Sequence, residues 1–241
     1  MPDKPSLLLF FSAFAYPFRG HGIAMLLLGS IFLAILRIPS PPLIGMYVGG
    51  AKTLVGAFVL TYTLAFMFKI IIASAEGRRE LPDWPAIAGV GANIVWPVPI
   101  MIQITLIGFG LPIALLVVAM FLGSWWLLLL LLVPPLLLFG WFYVPIAILN
   151  GALGGHEFTR PARMILAAFR VFGSYIVALA LLFFIGVVAS ITEAIAGLLS
   201  IPLLSHYLGI LVSFYFTIVQ MRVLGLIFYT NRDKLKWEVA V

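Results

Sequence analysis

From Ala86 to Asn150 the chain contains no Asp, Glu, Lys or Arg, and within that stretch Leu127 to Leu132 is an unbroken run of leucines. A soluble domain cannot hide an uncharged segment of this length, because it covers its surface with about 25% charged residues. A membrane β-barrel would show apolar and polar residues in alternation, whereas a continuous apolar run is helical. The whole chain agrees: 64% of its 241 residues are apolar and 9% are charged. That composition excludes a soluble domain. It also excludes a disordered chain, which needs low hydrophobicity. The sequence predicts an all-α, polytopic membrane bundle forming a single membrane domain over residues 1–241.

A crossing takes about 20 residues. Proline and charge divide the chain into spans at 22–38, 45–75, 86–122, 125–149, 165–192 and 206–229. Pro39, Pro41 and Pro42 end the first, since proline cannot continue the helical ladder. The second is longer than the bilayer core, so it tilts or protrudes. The third contains Pro97, Pro99, Gly108, Gly110 and Pro112, and reads as one crossing broken near Gly108–Pro112. In the fourth, Trp125-Trp126 and Trp141-Phe142-Tyr143 suit the two membrane faces. The proline pairs Pro97/Pro99 and Pro134/Pro135 read as kinks in adjacent helices. Ahead of the first span, Ser6 to Phe18 is expected to lie in the interface, with Phe10, Phe14 and Phe18 as its buried stripe. Ala13-Phe14-Ala15 has the form of a signal-peptidase site, but the apolar stretch before it is short and Arg19 follows at once.

Charge tests the count. With six crossings, one side receives Lys4, Arg19, Arg78, Arg79, Arg160, Arg163, Arg232, Lys234 and Lys236. Lys69, Arg170 and Arg222 fall within about two turns of that side and can snorkel to it. Only Arg37 and Lys52 fall on the other. The positive-inside rule then places both termini in the cytoplasm, as in a bacterial inner-membrane protein. The net charge of +6 is explained by topology and needs no nucleic acid.

Three features are candidates for function. Gly45, Gly49, Thr53, Ala57, Thr61 and Ala65 form a row of small residues at a spacing of four, which lets another helix approach closely. Lys52 and Glu193, near the outer face, are a candidate ion pair, because charges in hydrocarbon tend to be paired. Lys69, Arg170 and Arg222, near the inner face, are candidate contacts for anionic lipid headgroups.

Other chemistry is missing. The chain has no cysteine, which removes disulfides, thiolate metal sites and iron–sulfur clusters. His21, His156 and His206 fall in separate segments, and no HExxH, Walker A, GxSxG or Rossmann glycine pattern occurs. No catalytic, cofactor-binding or metal-binding residue is assigned, and an enzyme is not expected.

The segment Glu76-Gly77-Arg78-Arg79-Glu80-Leu81-Pro82-Asp83-Trp84-Pro85 follows the long second span, and Ala15-Tyr16-Pro17 precedes the first. With these motifs the chain resembles bacterial six-span membrane proteins grouped as a domain of unknown function, which carry a Gly…Leu-Pro-x-Trp segment after the second span. The resemblance implies a six-span fold and no mechanism. The residues themselves suggest that Leu81 and Trp84 anchor this loop at the headgroups while Pro82 and Pro85 stiffen it.

Two functions remain. One is a structural or accessory subunit in a larger membrane assembly, with other membrane chains or a second copy as partner. The other is a transporter of a small solute or lipid, or a lipid-handling protein. Membrane lipids surround the chain in either case.

Overall fold

In a bilayer each segment must satisfy its own backbone N–H and C=O groups, and a long apolar run does so as an α-helix. The computed structural model, which describes residues 7–37, 42–86, 94–122, 126–198 and 202–237, holds eight. They are α1 (Leu7–Ala15), α2 (Gly22–Arg37), α3 (Pro42–Ala75), α4 (Pro97–Leu122), α5 (Trp126–Ala152), α6 (Pro161–Arg170), α7 (Phe172–Gly197) and α8 (Pro202–Leu235). Single 3-10 turns occur at Tyr16–Phe18 and Glu157–Thr159. No strand occurs among the described residues.

Five helices, α3, α4, α5, α7 and α8, are long and apolar enough to cross a membrane. The 16 residues of α2 reach only about 24 Å, so α2 makes a sixth span only together with the segment before it, which meets it at 69°. Directions alternate along the chain. Ser30 of α2 meets Tyr207 of α8 while Tyr16, just before α2, meets Arg222, so these two helices are antiparallel. Phe66 and Ser74 of α3 pack on Phe214 and Gly225 of α8, which makes that pair parallel.

The bundle is built around α8. In its membrane-crossing window 61% of residues are buried, against 17% in α4, so α8 is the central post and α4 the lipid-facing flank. A Cβ added at Gly225 of α8 would lie 2.3 Å from the Ser74 Cβ and 2.6 Å from the Ile71 carbonyl oxygen of α3. The two backbones touch there because α8 presents no side chain.

Several elements depart from the sequence expectation. The third span is not interrupted near Gly108–Pro112: α4 continues as helix through both residues. Pro112 lacks an N–H, which leaves the Gly108 carbonyl without its helical donor. That oxygen faces α5 instead, 2.6 Å from where a Cβ would stand at Gly140, so the glycines serve close packing of an antiparallel pair. Pro97 and Pro99 lie in the first turn of α4, where a missing N–H costs little, so they do not kink it.

The fifth span does not begin at Ile165. The chain leaves helical geometry at Val171 (φ −116°, ψ 24°), and α7 starts at Phe172. Residues Pro161–Arg170 form a separate amphipathic helix, with Met164, Ala167 and Ala168 buried and Arg163, Leu166, Phe169 and Arg170 exposed. Its two arginines and half-polar face suit an interface and not a crossing. At the far end α7 reaches Gly197, so Glu193 lies in a helix and not in a loop. In α1 the buried residues are Phe10 and Ala13, and Tyr16 is buried in the 3-10 turn that follows, while Phe18 is 54% exposed. A spacing of four drifts around a helix of 3.6 residues per turn, and the 3-10 turn shifts the register again.

Candidate functional site

The charged segments come together at one end of the bundle, and their centre is the loop after α3. Two hydrogen bonds, from Arg78 N–H to the Ala73 carbonyl (2.9 Å) and from Gly77 N–H to the Ser74 carbonyl (3.1 Å), stop that helix. Gly77 is left-handed (φ 80°), so this is a Schellman ending. The following residues are irregular and would leave carbonyls bare at the membrane boundary. Four side chains from three elements donate to them. The Arg222 guanidinium reaches the Arg78 oxygen (2.6 Å), the Tyr16 hydroxyl the Glu80 oxygen (3.0 Å), the Lys69 ammonium the Asp83 oxygen (2.8 Å) and the Tyr62 hydroxyl the Pro85 oxygen (2.7 Å). Trp84 enters the bundle and stacks on Phe66 with ring centroids 4.1 Å apart, and also on Tyr62. The expectation that Trp84 anchors the loop at the headgroups is therefore corrected: it fastens the loop to α3.

Arg222 is the buried cation among these groups, only 4% exposed. Its guanidinium carbon lies 4.3 Å from the centre of the Tyr16 ring, a cation–π contact in a dry setting. Its Nε finds no partner among the described residues. Arg222 is thus an internal tie and not a headgroup contact, and a buried guanidinium needs such acceptors to be tolerated at all.

Three cavities open at this same end. A cleft of about 540 Å³ is lined by His21, Lys69, Arg78, Arg79, Glu80 and Asp83. A larger one of about 670 Å³ lies between α3, the start of α4 and the end of α5, with Lys69 and His156 among apolar neighbours such as Phe68, Ile72 and Trp96. A third, of about 420 Å³, sits at the corner between α6 and α7 and holds Arg170 and Lys234. Cations beside apolar walls suit an anionic amphiphile. No group of three His, Asp or Glu is placed to hold a metal ion among the described residues.

The other candidates are dispersed. Glu193 accepts a hydrogen bond from the Ser213 hydroxyl of α8. The side chain of Lys52 lies outside the described residues, and with it the candidate Lys52–Glu193 pair. Of the small-residue row, Ala65 is buried, Thr61 half-buried, and Thr53 and Ala57 exposed, while the side-chain positions of Gly45 and Gly49 lie outside the described residues.

Composition and periodicity gave no hint of Tyr16, Asn150 and Asn231. Asn150, 2% exposed, accepts a hydrogen bond from the Phe158 N–H (3.0 Å), and Tyr143 donates to the Phe158 carbonyl, which together clasp the turn after α5. Asn231, 3% exposed, marks the break in α8. An amide placed beside the polar end of an apolar span was the available signal for both. Compared with known protein families, with curated proteins and with solved structures, the chain has no match.

Proposed function

We propose that this protein is a non-catalytic integral membrane subunit that packs beside another membrane chain. The observation that carries this reading is the exposed face of α3 over residues 53–60. Ala57 is exposed, a Cβ added at Gly56 would meet nothing within 4 Å, and Leu54 and Leu60 flank them with their sides open. Small residues left open in this way, Gly56 and Ala57, let a second helix come within backbone reach. The basic end would face the cytoplasm of a bacterial cell, with both termini inside, by the positive-inside rule.

Because the chain has no cysteine, Ala57→Cys supplies a unique cross-linking site. Mild extraction of the full chain followed by native mass spectrometry should find a stable complex. The cysteine should cross-link to it, and Ala57→Phe should dissociate it. A monomer that neither cross-links nor changes with Ala57→Phe overturns the reading. A second reading, a lipid-handling protein, is favoured by the basic cavities, and a homodimer or monomer extracted with bound lipid would support it.

A further inference from the structure

The corner between α6 and α7 carries a separate site. Its cavity of about 420 Å³ is bounded by Arg170 and Val171 at the break, by Gly173 and Ser174 in the first turn of α7, and by Lys234 near the end of α8. Phe10, Phe169, Phe172 and Val177 complete the wall. This cavity differs from each of the other two: Lys69 of the 670 Å³ cavity is engaged by the Asp83 carbonyl, and Glu80 and Asp83 line the 540 Å³ cleft. Arg170 and Lys234 are exposed and make no ion pair or hydrogen bond among the described residues, whereas Arg78 pairs with Glu76, Arg163 with Glu157, and Lys69 is held by the Asp83 carbonyl. No Asp or Glu lines the cavity, while Glu80 and Asp83 line the cleft that holds Arg78 and Arg79.

The apolar wall is equally specific. Phe169 and Phe172 are 58% and 48% exposed and stack on each other, with centroids 5.7 Å apart. They stand on either side of Arg170, at the end of a helix whose outer face also shows Leu166. Exposed aromatic rings beside unpaired cations belong at the depth where acyl chains meet headgroups. We infer that this corner binds an anionic phospholipid, its phosphate between Arg170 and Lys234, and its upper acyl chain along Phe169, Phe172 and Val177. The site does not depend on the packing role proposed above, since it lies on other helices at the charged end.

The test uses the full chain in mild detergent. Native mass spectrometry compares its retention of phosphatidylglycerol and phosphatidylcholine, and both lysophosphatidylglycerol and inorganic phosphate are used as competitors. The wild type should retain phosphatidylglycerol in preference. Removing both cations in R170Q/K234Q should weaken that retention about thirtyfold, as expected for two basic groups near a headgroup. R170K/K234R keeps both charges and should stay within about twofold of wild type, as should the control R160Q/K236Q, which removes equal charge outside the cavity. The outcome that overturns the site is equal retention in R170Q/K234Q, an equal loss in the control, or no preference in the wild type. Displacement by inorganic phosphate as effective as by lysophosphatidylglycerol overturns the assignment to a lipid.

Discussion

A guanidinium buried among apolar helices is tolerated only where acceptors and an aromatic face replace water, and Arg222 has both in the Arg78 carbonyl and the Tyr16 ring. Arg222→Met keeps much of the volume but strips the Arg78 carbonyl of its donor. We expect a loss of about 2–3 kcal/mol, the worth of a charged hydrogen bond plus a desolvated cation–π contact. Trypsin should then cut faster after Arg78 and Arg79, because the loop they occupy loses one of its four ties. Tyr16→Phe keeps the ring under Arg222 and loses only the bond to Glu80, so about 1 kcal/mol is expected. Thermal unfolding in detergent orders the two variants, and equal losses would contradict the division of labour. Sequence reading located Arg222 within snorkelling distance of the basic side but not its direction. A helix residue near an interface can turn outward or inward, and only the partner at Tyr16, far away in the chain, decides.

At the level of helices, periodic apolar runs were legible because a bilayer enforces them, while breaks were misread because glycine and proline act differently in a packed helix. Gly108 and Pro112 suggest a break when each is considered alone. Together they free an oxygen and clear a path for Gly140, and the helix survives. This pairing makes a sharp contrast testable. Gly140→Ala would place a Cβ 2.4 Å from the Phe109 ring and 2.6 Å from the Gly108 oxygen, a clash with backbone that α5 cannot relieve without moving away. Overpacking of this kind costs about 1–3 kcal/mol. Pro112→Ala gives Gly108 its helical donor back and should change the melting temperature by little or raise it. The break at Val171 was hidden for another reason: Ile165 to Thr192 stays apolar enough to pass as a span, and the exposed face of Pro161–Arg170 emerges only when the burial of Met164 and Ala168 is known. Three of the helix ends share one form. The chains of α3, α5 and α8 all leave the helix through a left-handed residue at the charged end, Gly77, Gly154 and Lys236. Gly77→Ala should be the costly change among these, since its Cβ would lie 2.5 Å from the Tyr229 ring and its φ is 80°. A loss of at least about 1 kcal/mol is expected. Lys236→Gly should instead leave the fold as stable or slightly more so.

For the molecule as a whole, sidedness is the property that the sequence conveyed most completely, because charge is excluded from hydrocarbon wherever the helices happen to break. Among the described side chains the far end carries only one formal charge, Glu193, and that carboxylate is hydrogen-bonded to Ser213. Every Lys and Arg whose side chain is described, which leaves out Arg37 and Lys52, lies at the end where the loop after α3, the turn after α5 and the tail of α8 meet. Reversing the molecule would carry all of these cations across the membrane, against the bias that sets orientation during insertion. Single cysteines read this directly. Arg79→Cys, Arg160→Cys and Asp233→Cys come from three different connections, so they should share one accessibility, closed to a membrane-impermeant thiol reagent in intact cells and open after permeabilisation. Gly197→Cys, at the far end of α7 with nothing within 4 Å of its added Cβ, should label in intact cells. If the three basic-end positions label differently from one another, the number of crossings between them is odd and the alternating bundle is wrong. If all four simply exchange, the bundle stands and the orientation is reversed, which would mean that an element other than these cations directs insertion.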